Sequence, residues 1–280
     1  MADLWGTRRE SRAASTVPRR YVLRAGLAVG IGTALSGCGT DEEGGDLEVP
    51  VASGGGYAQG RLRFRPGAGP VPVPGGPTGS ITLHGSAGSP PALAYVPDPP
   101  RPARVVVFLH GAGGGAQDGL SRLRSYADDE RLLLVAPQSG DRTWDVLTGG
   151  YGADVENIDR LLQHVAATYP VTAFTLAGFS DGASYALSLG ISNGDVFDSV
   201  MAFSPGFQAA LVSNGDARFF VSHGTQDQVL PIERCSRRIV PELERAGYDV
   251  TYEEFSGGHA MPEQTQQSAI AWLRALPRQN

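Results

Sequence analysis

The sequence contains no lysine; all 23 of its basic residues are arginine, set against 29 aspartates and glutamates. Those arginines gather on no basic face, which excludes nucleic acid as a partner, because phosphate binding needs clustered cations. There are two cysteines, Cys38 and Cys235, too few for a disulfide framework, and no Cys/His spacing fits a zinc site. No Gly-Lys-Ser/Thr follows a glycine-rich loop, and the glycine-rich stretches fit no nucleotide fold. No metal or organic cofactor is therefore implied. The apolar stretch Ala25–Ser36 is too short to cross a bilayer.

That stretch has a different meaning in context. Pro18-Arg19-Arg20-Tyr21-Val22-Leu23-Arg24 precedes it, and Leu35-Ser36-Gly37-Cys38 closes it. The first resembles a twin-arginine export signal and the second a lipobox, so residues 1–37 are expected to be a bacterial lipoprotein signal peptide. By that resemblance Cys38 becomes the lipidated first residue, on an exported protein of the bacterial cell envelope. Beyond the signal the chain carries 17 basic and 27 acidic residues, a formal net charge of −10. Residues 38–79 are rich in Gly and Pro, with Val71-Pro72-Val73-Pro74 favouring an extended backbone. They read as a flexible tether.

Residues 80–280 alternate strand and helix, the pattern of one α/β domain with a mostly parallel sheet flanked by helices. Strands are predicted at Ser80–Leu83, Ala92–Val96, Arg104–Leu109, Leu132–Ala136, Phe174–Ala177, Ser199–Phe203, Phe219–Ser222 and Val250–Phe255. The first two suit an edge hairpin; the unbroken apolar runs after them suit strands buried on both faces. Helices are predicted at Gln117–Ala127, Val155–Thr168, Asp181–Leu189, Ile232–Ala246 and Glu263–Leu276.

Gly178-Phe179-Ser180-Asp181-Gly182 follows directly on the strand Phe174–Ala177 and leads into a small-residue helix. That is the sequence form of a nucleophile elbow, a turn so sharp that only glycine fits two residues either side of the serine. A second Gly-x-Ser-x-Gly, at Gly190–Gly194, follows a helix instead of a strand. Its Ser192 reads as part of a helix end and turn. A serine nucleophile needs a base, and the base an acid, each on a loop after a later strand. His223-Gly224-Thr225-Gln226-Asp227 follows one such strand and Ser256-Gly257-Gly258-His259 the next. Asp227 is the candidate acid and His259 the candidate base; ordering its own loop through an Asx turn is the other reading of Asp227. His110 and His223 each close a strand before a glycine and read as loop braces, while His84 and His164 read as solvated surface. Asp195 and Asp198 precede their strand and so stand at the wrong end of the sheet for the acid. Cys235 reads as a small apolar filler.

Stabilising a developing oxyanion takes two backbone N–H groups. Asp181, at the start of the elbow helix, supplies one candidate; the loop His110-Gly111-Ala112-Gly113-Gly114-Gly115 supplies the other, with Ala112 favoured over Gly113. Trp144, on the loop after Leu132–Ala136, is read as a pocket wall or a cover over the core edge. Phe179, Val229 and Met261 stand beside the serine, acid and base as candidate apolar contacts for substrate.

These motifs, with Leu230-Pro231 after the acid, resemble the phospholipase/carboxylesterase family of α/β-hydrolases, which includes acyl-protein thioesterases. The likeness covers roughly residues 92–276. Secreted polyhydroxybutyrate depolymerase-like and feruloyl esterases are similar to nearly the same degree. The resemblance implies a lid-poor serine esterase of small or short-chain esters, with Ser180 as nucleophile, Asp227 as acid, His259 as base, and Ala112 and Asp181 as oxyanion donors. The family commonly has Gln where Asp181 stands. A serine peptidase of the same superfamily would share the motifs, but usually carries an added propeller or lid domain. A non-catalytic binding module would lack a triad member.

The lipobox reading predicts that the protein fractionates with membranes and that Cys38→Ala releases it, or stalls it as precursor, at unchanged specific activity. Wild-type protein found soluble, with a mature N-terminus away from Cys38, contradicts that reading.

Overall fold

A computed structural model describes residues 56–67, 75–100 and 103–276. The expected signal peptide and Cys38 lie outside them. Eight strands form one sheet: β1 (Gly79–Leu83), β2 (Ala92–Val96), β3 (Ala103–Leu109), β4 (Leu132–Ala136), β5 (Val171–Phe179), β6 (Ser199–Phe203), β7 (Arg218–Gly224) and β8 (Val250–Phe255). Their spatial order is β1-β2-β4-β3-β5-β6-β7-β8, with β1 and β2 antiparallel at one edge and the rest parallel. Every strand was anticipated to within a few residues, including the edge hairpin.

The helices are α1 (Ala116–Leu123), α2 (Ala127–Glu130), α3 (Asp145–Thr148), α4 (Ala153–Thr168), α5 (Asp181–Ser192), α6 (Ser236–Arg245) and α7 (Glu263–Ala275). The stretch expected as one helix over Ile232–Ala246 breaks at Cys235, between a 3-10 turn and α6. The predicted Gln117–Ala127 helix likewise splits at a 3-10 turn, Arg124–Tyr126. α5 runs past Gly190 to Ser192, because Gly190 lets the helix lie against Val200 of β6, where a Cβ would come within 2.3 Å of its side chain. α3 is a single turn with no apolar periodicity to announce it.

The near-continuous apolar runs feed two cores. Val105, Val107 and Leu109 of β3 face one, with α4 and α5; Val106 and Phe108 face the other, with α1 and α7. This is the period-two alternation of a strand covered on both faces. The strand order reverses between β3 and β5, opening a crevice at their carboxyl ends, where sheets of this kind place their ligands.

The reading of residues 38–79 as tether needs correction over 56–67. Leu62 and Phe64 are buried, and Phe64 packs edge-on to Phe174. The side-chain oxygen of Asn193 accepts hydrogen bonds from Arg61 and the Leu62 amide, at 2.9 and 2.8 Å, while its amide donates to Gly60 O. Arg61 makes a two-pronged ion pair with Asp195, and the buried carboxylate of Asp159 accepts the amides of Arg63 and Phe64. Composition hides this strap because its hold on the domain comes from backbone amides meeting distant side chains, which Gly-rich flanks do not reveal. The second Gly-x-Ser-x-Gly thereby has a structural role: its Asn193 is the socket for the strap.

Asn193→Ala should leave several buried polar partners unmet and lower unfolding stability by about 2–3 kcal/mol. Denaturant melts check this; a variant as stable as wild type would show that the strap contributes nothing to the fold.

Candidate active site

The elbow is built by close approach. Ser180 has φ 57° and ψ −121°, a backbone strain uncommon for any residue with a Cβ. A Cβ on Gly178 would lie 2.2 Å from the Gly182 carbonyl oxygen, and one on Gly182 2.1 Å from that of Leu109. Both glycines are therefore obligatory, and β3, β5 and α5 are locked together at this one point. The Ser180 amide donates to Phe203 O of β6 at 3.0 Å.

The loops after β7 and β8 bring Asp227 and His259 to Ser180. His259 Nε2 stands 2.8 Å from Ser180 Oγ, and His259 Nδ1 2.6 Å from Asp227 Oδ2. A carboxylate only accepts, so Nδ1 carries the proton and Nε2 presents its lone pair to the serine hydroxyl. The other oxygen, Oδ1, accepts the amides of Val229 and Leu230 at 2.9 and 2.8 Å. Both readings of Asp227 thus hold at once: one oxygen orders the turn and the other meets His259. Burial works against ionisation of Asp227, but the Leu230 amide and His259 outweigh it and hold its carboxyl below the usual range. The ring of Phe179 lies 4.8 Å from that of His259, and the Arg122 guanidinium lies 5.1 Å from the centroid of the same Phe179 ring.

The rival residues are accounted for. Ser192 is fully buried and donates to Val212 O at 3.2 Å. Asp198 pairs with Arg104 at the far end of the sheet, and Asp195 is held by Arg61. His84 and His164 are exposed. His110 braces its loop, accepting from the Ser139 amide, and burial pushes its pKa down. Burial pushes the Cys235 thiol up, away from reactivity.

In the glycine-rich loop, the Gly113 N–H donates to Arg142 O at 2.7 Å and is thereby committed within the protein. Gly111 comes so close that a Cβ there would be 3.3 Å from Ser180 Cβ. The amide of Asp181 opens α5, where the helix dipole favours negative charge. Its side chain accepts from Thr143 Oγ1 at 2.8 Å, which turns the carboxylate towards that loop.

Two of the expected substrate contacts need correction. Trp144 is wholly buried; its Nε1–H donates to His110 O at 2.9 Å and its ring stacks on Tyr185. It is a prop beneath the glycine-rich loop and has no open face for a ligand. Met261 is buried in the core cluster that also holds Phe203, Phe220 and the inner face of α7. Phe179 stays half-buried beside His259, and Val229 is 67% exposed at the rim.

The sequence reading missed a row of serines on α5. Ser184 Oγ accepts the Gly206 amide, Ser188 Oγ accepts the Ala209 amide, and Ser192 Oγ donates to Val212 O. The i, i+4, i+8 spacing was visible, but small residues on a helix read first as core packing. These bonds lay the segment after β6 flat along α5. Tyr151 adds a bond to Ala209 O.

Residues 156–215, spanning most of α4 through the elbow to the serine-held segment, match the family model described as putative esterase. Among solved structures, esterase PE8 is 23% identical, with 69% of this chain and 99% of that one covered at a TM-score of 0.55. A phospholipase/carboxylesterase from Dyadobacter fermentans is 23% identical, covering 68% of this chain and 97% of its own at a TM-score of 0.51. An S-formylglutathione hydrolase from Staphylococcus aureus is 14% identical, covering 71% and 99% at a TM-score of 0.57. The chain has the α/β-hydrolase fold. No curated protein matches it by sequence. The esterase family match, joined to the elbow, supports a serine ester hydrolase.

Trp144→Phe keeps a ring against Tyr185 but removes the donor to His110 O. It should lower kcat on a simple ester by about tenfold through a shifted glycine-rich loop, with KM nearly unchanged. An unaltered kcat would mean that the Trp144 hydrogen bond does not set the loop.

Proposed function

We propose that this protein hydrolyses small or short-chain carboxylic esters through a Ser180–His259–Asp227 triad and an acyl-enzyme intermediate. The observation that supports it is the continuous hydrogen-bond relay from Ser180 Oγ through His259 to Asp227, standing on a strained elbow. As Ser180 Oγ attacks the ester carbonyl, its proton passes to His259 Nε2, and the carbonyl oxygen becomes an oxyanion facing the amides of Ala112 and Asp181. Each such donor is worth ~3 kcal/mol in the transition state. His259 then gives the proton to the departing alkoxide. Water, deprotonated by the same Nε2, attacks the acyl carbon, and collapse returns Ser180 and frees the acid. Asp227 keeps His259 in the required tautomer and offsets its transient positive charge.

Small acyl groups fit the surroundings better than long ones. The segment after β6 is held flat to α5 and cannot rise as a helical cap. Of the expected apolar contacts, Phe179 stands beside His259 and Val229 is exposed on the turn held by Asp227. Cys38 lipidation would keep the domain at a bacterial envelope membrane. Oligomers of short hydroxy acids and feruloyl esters are the nearest alternative substrates of the same chemistry.

Ser180→Ala should cut ester turnover by several orders of magnitude with the fold intact, and Ser192→Ala should leave it near normal. A fluorophosphonate probe is expected to label Ser180. Nitrophenyl esters of rising acyl length should show a maximum at short chains with no rate jump above the micelle threshold. Labelling of Ser192, or faster turnover of an aminopeptidase substrate than of any ester, would overturn the proposal.

A further inference from the structure

Asp227 is approached by a second imidazole, which the proposed chemistry does not use. His223, at the end of β7, is wholly buried. Its Nε2 lies 2.8 Å from Leu230 O and 3.2 Å from Asp227 Oδ2, the same oxygen that meets His259. Its Nδ1 lies 2.7 Å from Ser236 Oγ, at the start of α6. A carbonyl oxygen and a carboxylate both only accept, so the proton sits on Nε2. Nδ1 must then accept from the Ser236 hydroxyl, which fixes the tautomer from behind.

We propose that His223 is a positioning residue for the relay: a neutral donor whose Nε2–H shares Asp227 Oδ2 with His259 and fixes both the direction and the strength of that acceptor. The inference rests on the hydrolase reading above. A brace for the loop alone would need only the bond to Leu230 O. The second acceptor makes the difference, because each donor to Oδ2 draws charge from the oxygen that His259 must use. Burial pushes the pKa of His223 down, which keeps it a neutral donor. The other ionisable groups bearing on it are His259 and Glu254, its partner in register on β8, which is itself paired with Arg237.

The sign of the effect follows. Without the His223 donor, Oδ2 holds more charge for His259 Nδ1–H and stabilises the imidazolium, so the base becomes available only at higher pH. Orientation of the carboxylate also loosens, which lowers turnover.

The test is the pH profile of kcat/KM on a short nitrophenyl ester for wild type, His223→Leu, His223→Gln and Ser236→Ala. His223→Leu should lower kcat by about tenfold, typical of outer partners of a site, with KM little changed. Its acid limb should move to higher pH by about half a unit. Glutamine carries an N–H close to the place of Nε2, so His223→Gln should return the limb towards the wild-type position. Ser236→Ala, which frees the tautomer, should fall between. An unmoved limb in His223→Leu, or a glutamine variant as impaired as the leucine one, overturns the proposal.

Should His223→Leu not fold, the low-field proton resonance of the His259–Asp227 hydrogen bond serves instead. It should shift in Ser236→Ala and hold in His223→Gln; a resonance unmoved in Ser236→Ala overturns the proposal. That signal belongs to the resting protein, so it reads His223 even if the esterase assignment fails, which inactive wild type or active Ser180→Ala would reveal.

Discussion

The site depends on one steric fact: β5 turns into α5 with so little room that Gly178, Gly182 and the Leu109 carbonyl meet almost in contact. The turn forces Ser180 into a left-handed conformation, a cost of order 1–3 kcal/mol that the surrounding sheet and helix must sustain. In return the hydroxyl stands clear of the sheet at the strand-order reversal, next to a helix N-terminus and a glycine-rich loop. Asp227 and His259 need only be delivered by the two strands that follow β6 on the same side of the switch point. Parallel strand order performs that delivery, because each later strand ends at the same rim.

Precision comes from what lies beneath these loops. Trp144 ties the glycine-rich loop to the Tyr185 face of α5, and Tyr185 donates in turn to Asp145. The serine row of α5 fastens the segment after β6. Asp154 holds the Gly140 and Asp145 amides at the other end of the Trp144 loop, and burial raises its pKa to about 6. The elbow helix is thus a common spine to which the loops around Ser180 are pinned, mostly by neutral hydrogen bonds that are insensitive to salt. At the opposite end the strap of residues 56–67 is pinned to the helix end through Asn193.

How much of this was legible in the sequence depended on range. Strands buried on both faces, the elbow and the placing of Asp227 and His259 on loops after later strands all leave local marks, in apolar runs, glycines and loop position. Interactions between distant segments leave none. Trp144 sits in a polar stretch whose composition suggests exposure, yet a hydrogen-bond acceptor thirty-four residues earlier, the His110 carbonyl, draws it inside. Arg61 and Leu62 lie in a Gly-rich stretch that reads as tether, and their partners stand more than a hundred residues away. Met261 reads as rim because it neighbours His259, whereas the path of α7 sets its side chain into the core.

The central claim is that Ser180 carries the acyl group between the two halves of the reaction. Intact-mass analysis of enzyme acid-quenched during turnover of a slow nitrophenyl ester, followed by fragment sequencing, tests it directly. The account predicts a transient adduct of one acyl mass, located on Ser180 and absent from Ser180→Ala. An adduct on any other side chain, or turnover through Ser180→Ala at the wild-type rate, would contradict it.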